Sequence, residues 1–249
     1  MPFQYLHFNT TESTNAVLSE MSEKERVGTV VAAFEQTAGK GMGSNTWESA
    51  PGMNLTFSMG VDLSFMKAVD QFLLSMAVPL GLLDVLDSYL GQSRDVMDLL
   101  TVKWPNDLYF GQRKLCGILI SSTIRGSMMG SSIIGIGLNV NQMQFHDWPT
   151  HPISLRMILG REMALKPLLE QLVESVDKRV QTLRTTEGVA EIKHAYLKRL
   201  YRYRVWADYE VGGEKVRRFI TEIDPYGRLE TMGELGEQYV YDIKEIKFV

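Results

Sequence analysis

The sequence predicts an α+β fold, a mixed β-sheet flanked by helices over residues 1–202 and a small β-barrel over residues 203–249. Three observations carry that prediction. Strand-length apolar runs recur through the first 140 residues, at 28–34, 99–102, 115–120 and 131–141. A helical stripe then takes over, with Leu165, Leu168, Leu169, Leu172, Val173, Val176, Val180 and Leu183 on one face. From Arg204 onward short strands alternate with turn residues at Gly212-Gly213, Asp224-Pro225-Tyr226-Gly227 and Glu234-Leu235-Gly236. So small a unit of strand and turn is marginal alone, so the barrel is expected to dock on the larger domain.

In order, Gln4 to Phe8 reads as a first strand and Ala16 to Met21 as a helix. Between them, Ser13, Thr14 and Asn15 supply more hydrogen-bonding groups than one helix cap requires, so capping and ligand contact are both open readings. Gly28 to Phe34 reads as a strand buried on both faces, and Asn54 to Val61 alternates like another strand. The polar stretch Glu35 to Trp47 between them contains Gly39, Gly41 and Gly43, which let the backbone turn its N–H groups toward an anion, with Lys40 as an added charge. No helix follows, so this is not a phosphate site on a helix N-terminus. Ser64 is expected to cap a helix running to about Leu90, kinked or divided at Pro79.

Lys103-Trp104-Pro105-Asn106-Asp107 then makes a polar turn between the apolar runs 99–102 and 115–120, read as a hairpin. Lys103, Arg113 and Lys114 are expected to converge on it, an arrangement suited to an anionic ligand. In the next strand Gly135 and Gly137 leave a groove on one face, with Asn139 on the same face at the strand end. A second helix is expected over Val189 to Tyr201.

Composition bounds the function. The 249 residues are 45% apolar and 22% charged, in the range of globular proteins. A net charge of −4 provides no global field for nucleic acid. The single cysteine, Cys116, rules out a disulfide framework, suits a reducing cytoplasm and reads as a packed core residue. His7, His146, His151 and His194 are too scattered for a zinc site. Met1 to Asn9 does not read as a signal peptide, and the apolar segment Phe72 to Leu83 reads as a core helix too short to span a bilayer. No membrane partner is expected.

Taken together in order and spacing, Ser13-Thr14-Asn15, Gln36 with Gly39-Lys40-Gly41 and Trp47, Lys103 to Asp107 with Lys114 and Gly117, Gly135 to Asn139 and the C-terminal barrel closely resemble the biotin-protein ligase family. The form is the one that begins at the first catalytic strand, without an N-terminal DNA-binding domain, so a repressor role is not expected. The resemblance implies a class II aminoacyl-tRNA synthetase-like sheet and an SH3-like barrel. It implies that biotin's carboxylate attacks the α-phosphate of ATP to give biotinyl-AMP, and that a lysine of a biotin carboxyl carrier domain then takes the biotinyl group. ATP, Mg2+ and biotin are the expected ligands, and both monomers and homodimers occur in the family.

By the same resemblance Ser13, Thr14, Asn15 and Gln36 bond the ureido end of biotin. Gly39, Gly41, Gly117, Leu119, Gly135 and Gly137 surround its body. Lys40, Trp47, Lys103, Asn106, Lys114 and Asn139 serve ATP, with Trp47 near the adenine and Asn139 near the phosphates and metal. Lys114, Asp107 and Lys40 are the expected catalytic groups, Asp107 orienting or deprotonating the incoming lysine. The family's glycine loop usually carries arginines where this chain has Lys40 and Met42, which predicts weaker retention of biotinyl-AMP. A lipoate-type ligase and a non-catalytic sensor of biotin or its adenylate are the alternatives.

Overall fold

The computed structural model describes residues 3–43, 45–91, 98–146 and 151–249. Ser44 of the glycine loop and the first two residues of the opening stretch lie outside them. A seven-stranded sheet carries the first part of the chain. Its strands are β1 (Gln4–Thr11), β2 (Thr29–Gln36), β3 (Leu55–Asp62), β4 (Leu100–Lys103), β5 (Asp107–Phe110), β6 (Arg113–Arg125) and β7 (Met128–Leu138). They lie in the order β1-β2-β3-β7-β6-β5-β4. Only the β1–β2 pairing is parallel, so the sheet is mixed as expected.

Alternation along the strands separates two faces. On one, helix α1 (Thr14–Glu20) buries Leu18 against Val31 and Ile133. On the other, a larger core gathers Val30, Phe57, Met59 and Ile134 beneath α3 (Phe72–Leu90), α5 (Leu165–Thr182) and α6 (Thr186–Arg199). Two short helices, α2 (Glu23–Arg26) and α4 (Leu155–Leu159), are also present. In the α5 stripe every expected residue but Leu165 is buried, and Leu165 is half-buried.

Four local expectations are corrected. Ser64 does not start a helix: its N–H bonds Asp62 Oδ1, an i to i+2 turn that competes with capping, and α3 begins only at Phe72. Pro79 leaves α3 undivided, because the burial of both its flanks outweighs one lost backbone bond. The expected hairpin is a three-stranded meander, since Asp107–Phe110 pairs on one side with β4 and on the other with β6. Phe34, placed in a strand buried on both faces, is 59% exposed.

At 19 residues with a mean hydropathy of 1.5, α3 has the length and composition to cross a membrane, contrary to the shorter segment read from sequence. Two-thirds of it is buried against protein, the mark of a core helix. Cys116 is fully buried, and that burial pushes its thiol above the usual range, as a packed core residue requires.

The C-terminal residues form a separate antiparallel sheet of β8 (Trp206–Val211), β9 (Glu214–Ile223), β10 (Leu229–Met232), β11 (Gln238–Tyr241) and β12 (Ile246–Phe248), ordered β11-β10-β9-β8-β12. It docks through specific contacts. Trp104 Nε1 donates to Gly227 O at 2.9 Å. Gly227, at φ +88°, lies so close to Phe72 that a Cβ there would fall 2.1 Å from the ring. Asp224 holds this turn: burial alone would raise its carboxyl, but bonds from Arg228 and from the Tyr226 and Arg228 N–H groups outweigh it and keep the group below the usual carboxylate range. A run of rings, Tyr109, Tyr201, Phe248 and Tyr209, with successive centroids 6.3, 6.1 and 5.1 Å apart, fills the rest of the seam.

Candidate active site

A cavity opens on the α1 face of the large sheet, and sheet register explains its floor. Gly137 of β7 lies opposite Gly117 of β6 and Thr56 of β3, while Gly135 lies opposite Leu119 and Ser58. The result is two adjacent rungs with little or no side chain at their centre. The groove read from Gly135 and Gly137 therefore exists, and the structure adds what fills it. A Cβ on Gly137 would fall 2.3 Å from Trp47 Cε2, and one on Gly117 2.9 Å from Trp47 Cζ3. A Cβ on Gly135 would fall 2.3 Å from Asn15 Oδ1. The indole covers one rung and the Asn15 amide the other.

Over the Gly135 rung sits a polar cluster. Thr14 Oγ1 and Ser58 Oγ are 2.6 Å apart, and Ser58 Oγ donates to Asn15 Oδ1 at 2.5 Å. Gln36 Oε1 accepts from the Thr14 N–H at 2.8 Å. Ser13 is the N-cap of α1 yet makes no side-chain cap bond, so its buried hydroxyl remains available to a ligand in the cavity it lines. Ser13, Thr14 and Asn15 all line the cavity. Ser58 was missed from sequence, although Asn54, Thr56, Ser58 and Gly60 alternate with bulky residues and so mark a polar face.

The charged end lies over the Gly137 rung. Lys114 Nζ bonds Asp107 Oδ2 at 2.5 Å and stands 5.8 Å from the centroid of the Trp47 ring. Pro105 and Asn106 line the same wall. Two buried bonds position that turn: Tyr196 Oη, on α6, donates to Pro105 O at 2.6 Å, and Trp104 is tied to Gly227 as described. Neither was legible from sequence, because each joins segments about a hundred residues apart.

The glycine loop supplies the opposite wall through Lys40, Gly41, Met42, Asn45 and Thr46. It folds back as a short hairpin, with Gly41 N bonded to Asn45 O at 2.8 Å and Trp47 N to Gly39 O at 2.9 Å. That hairpin delivers the indole to the floor. Trp47 Nε1 is buried with no hydrogen-bond partner among the described residues, a donor left for a ligand.

Three expected residues do not line this cavity. Gly39 lies behind the loop, where a Cβ would strike Trp47 O at 2.6 Å. Lys103 points into the seam between the sheets, 4.7 Å from the Tyr109 ring centroid and 5.2 Å from that of Phe248. Burial there, with repulsion from Lys114 and Arg202, holds its ammonium below the usual lysine range against the pull of Asp107. Asn139 is buried and its amide donates to Lys114 O at 3.4 Å, so it supports the lysine's backbone. Arg113, expected to converge on the loop, instead donates to Pro152 O at 2.7 Å. Among the described residues no group of His, Cys, Asp and Glu side chains could hold a metal.

Residues 7–139, a span that holds the cavity floor and both walls, match the family model described as the biotin/lipoate A/B protein ligase family. The chain is 35% identical to biotin–protein ligase 2 of Arabidopsis thaliana over 53% of its own length and 39% of that protein's. It is 27% identical to the biotin–[acetyl-CoA-carboxylase] ligase of Paracoccus denitrificans over 92% of its length and 95% of that protein's. The chain thus spans about two-fifths of the plant relative and nearly all of the bacterial one. The biotin protein ligase of Aquifex aeolicus, solved with biotin and ATP, shares the fold with a TM-score of 0.78 at 20% identity, over 98% of this chain and 97% of that one. With more than half of its residues inside the matching model, the chain belongs to the biotin/lipoate A/B protein ligase family.

Proposed function

We propose that the chain is a biotin-protein ligase that makes biotinyl-5′-AMP from biotin and ATP and transfers the biotinyl group to a lysine of a biotin carboxyl carrier domain. One observation carries the reading: a single cavity joins a hydrogen-bonding cluster over the Gly135 rung to a lysine–carboxylate pair over the Gly137 rung. Biotin has that polarity, a ureido ring at one end and a carboxylate at the other. The names of the Arabidopsis and Paracoccus relatives support the same substrate.

In the first step a biotin carboxylate oxygen attacks the α-phosphorus of ATP. The bond to the β-phosphate breaks and pyrophosphate leaves. Lys114 and Lys40 place positive charge where the carboxylate and the α-phosphate meet, and the covering indole limits water there. In the second step the carrier lysine, having lost a proton to Asp107, attacks the acyl carbon. An amide forms and AMP leaves. Asp107 is already oriented by Lys114, so its carboxylate faces the cavity as a base. Ser13, Thr14, Asn15 and Gln36 hold the ureido group, and Asn106 and Trp47 lie toward the nucleotide. The only cavity carboxylate among the described residues is engaged with Lys114, so Mg2+ belongs to this scheme as part of MgATP rather than as a protein-held ion.

A synthetase-like sheet followed by an SH3-like barrel, divided near residue 202, is part of the same reading, supported by the antiparallel β8–β12 unit. A cytoplasmic setting is part of the same reading, supported by the single cysteine, which is free and buried. The test is incubation with MgATP, labelled biotin or lipoate, and a carrier domain. Biotin-dependent labelling of the carrier lysine is expected. Labelling by lipoate alone, or binding of biotin without transfer, would overturn the proposal in favour of a lipoate ligase or a sensor.

A further inference from the structure

The outgoing stem of the glycine loop, residues 47–53, carries the Trp47 indole to the cavity floor yet belongs to no helix or strand. Its turn is closed by its own backbone, with Met53 N bonded to Ala50 O at 3.1 Å and Gly52 N to Phe34 O at 2.9 Å. The start of the stem is held differently, by two buried amides. Gln142, just beyond β7, accepts at Oε1 from the Ala50 N–H at 3.0 Å and from Asn54 Nδ2 at 2.6 Å. Asn54 Nδ2 also donates to Ser49 Oγ at 3.2 Å, and Asn54 Oδ1 accepts from the Val140 N–H at 2.9 Å.

Two features make this pair more than support for a turn. Both amides are buried, and both oxygens and both nitrogens are bonded, since Gln142 Nε2 donates to Gln144 O at 2.8 Å. The Ala50 and Val140 N–H groups can only donate, so they fix which way round each amide stands. A buried network with every member satisfied has one geometry. Its base is fixed as well, because the Asn141 side chain bonds Met163 N and O, each at 2.9 Å, and the Asn141 N–H reaches Met53 O at 2.7 Å. The second feature is what the network holds. Trp47 is pinned on one side by its own N–H bond to Gly39 O, and on the other through Ser49 and Ala50, with Glu48 between them paired to His146.

Resting on the ligase reading, we propose that Gln142 is a positioning residue for the adenylation step: with Asn54 it clamps the outgoing stem and so sets how the Trp47 indole seats over the Gly117–Gly137 rung, the nucleotide end of the cavity. Neither amide lines the cavity, so the action runs through the indole. Without the Gln142 acceptor, the Ala50 N–H and one Asn54 N–H lose their partners, and the stem shifts to find others. The cluster of Thr14, Asn15 and Ser58 over the Gly135 rung makes no bond to this clamp, so biotin binding and nucleotide binding respond separately.

The test compares the full-length parent with Gln142→Met, which keeps the length of the side chain and loses the amide, and with Ser49→Ala, which removes only the 3.2 Å bond. Acrylamide quenching of Trp47 fluorescence, taken as the difference between each protein and its own Trp47→Phe counterpart, reads the indole without any substrate. ATP–pyrophosphate exchange gives KM for MgATP, and calorimetry gives biotin affinity. In Gln142→Met the quenching is expected to increase and KM for MgATP to rise about tenfold, with biotin affinity within about twofold of the parent. Ser49→Ala is expected to move quenching the same way and to raise KM by about threefold. Parental quenching in Gln142→Met, or a loss of biotin affinity as large as the rise in KM, overturns the assignment while the parent's biotin transfer stands. If Gln142→Met does not fold, parental quenching and KM in Ser49→Ala overturn it equally. A parent that exchanges no pyrophosphate sinks the ligase reading and this role with it.

Discussion

The two glycine-rich walls of the cavity contain the same residue for different reasons. On the floor, Gly117, Gly135 and Gly137 are glycine because the Trp47 ring and the Asn15 amide lie where a Cβ would be, within 2.9 Å in every case. In the loop, a Cβ on Gly41 would meet Asn45 Cβ at 3.2 Å, a contact that a small shift relieves, and Gly43 needs its left-handed φ of +69°. The floor is a packing requirement, whereas Gly43 of the loop is a backbone requirement. Two patterns that look alike in sequence thus respond differently to substitution.

Five experiments break or sharpen that contrast. Gly137→Ala drives the indole off the floor, and biotin-dependent kcat/KM is expected to drop about 100-fold or more, as for an ångström-scale misplacement of a reacting group; steady-state kinetics with varied biotin checks it, and a loss under threefold would contradict the packing account. Asp107→Asn keeps the shape of the charged wall but removes the base. Carrier labelling is expected to slow about 100-fold while ATP–pyrophosphate exchange stays within about fivefold, and equal losses in both would remove Asp107 from the second step.

Tyr196→Phe deletes only the bond to Pro105 O and leaves every cavity-lining side chain unchanged. A fall of about tenfold in carrier transfer is expected, with biotin affinity unchanged, and calorimetric titration alongside single-turnover transfer separates the two. On the loop wall, Met42→Arg adds a cation and is expected to slow biotinyl-AMP dissociation about fivefold, read by chase with unlabelled biotin. Gly41→Ala, the loop counterpart of Gly137→Ala, is expected to change kcat/KM by less than about threefold.

Alternation made the groove at Gly135 and Gly137 legible, and turn chemistry marked Pro105-Asn106-Asp107, because both signals are local. Ser58 was equally local and could have been read from the polar face of β3. Trp47 over Gly137, Tyr196 on Pro105, Trp104 on Gly227 and Gln142 on Ala50 were not legible, since each depends on how distant segments dock. Ser64 misled for a local reason, because a good cap residue two positions after an aspartate serves the turn instead. Lys103 misled for a distant one. Its place in the meander is as read, but the C-terminal strand covers it with Phe248 and makes it a seam residue.

The burial of α3 has a consequence for biosynthesis. Its 19 residues are complete at Leu90, yet the helices that cover it begin only at Leu165 and Thr186. At ~5–20 residues per second, the roughly 75 residues between Leu90 and Leu165 take about 4–15 s to make. For that interval the face of α3 that packs on α5 and α6 has no partner. The core is therefore sealed late in translation, and the final strand, carrying Phe248 to the seam, is the last to arrive.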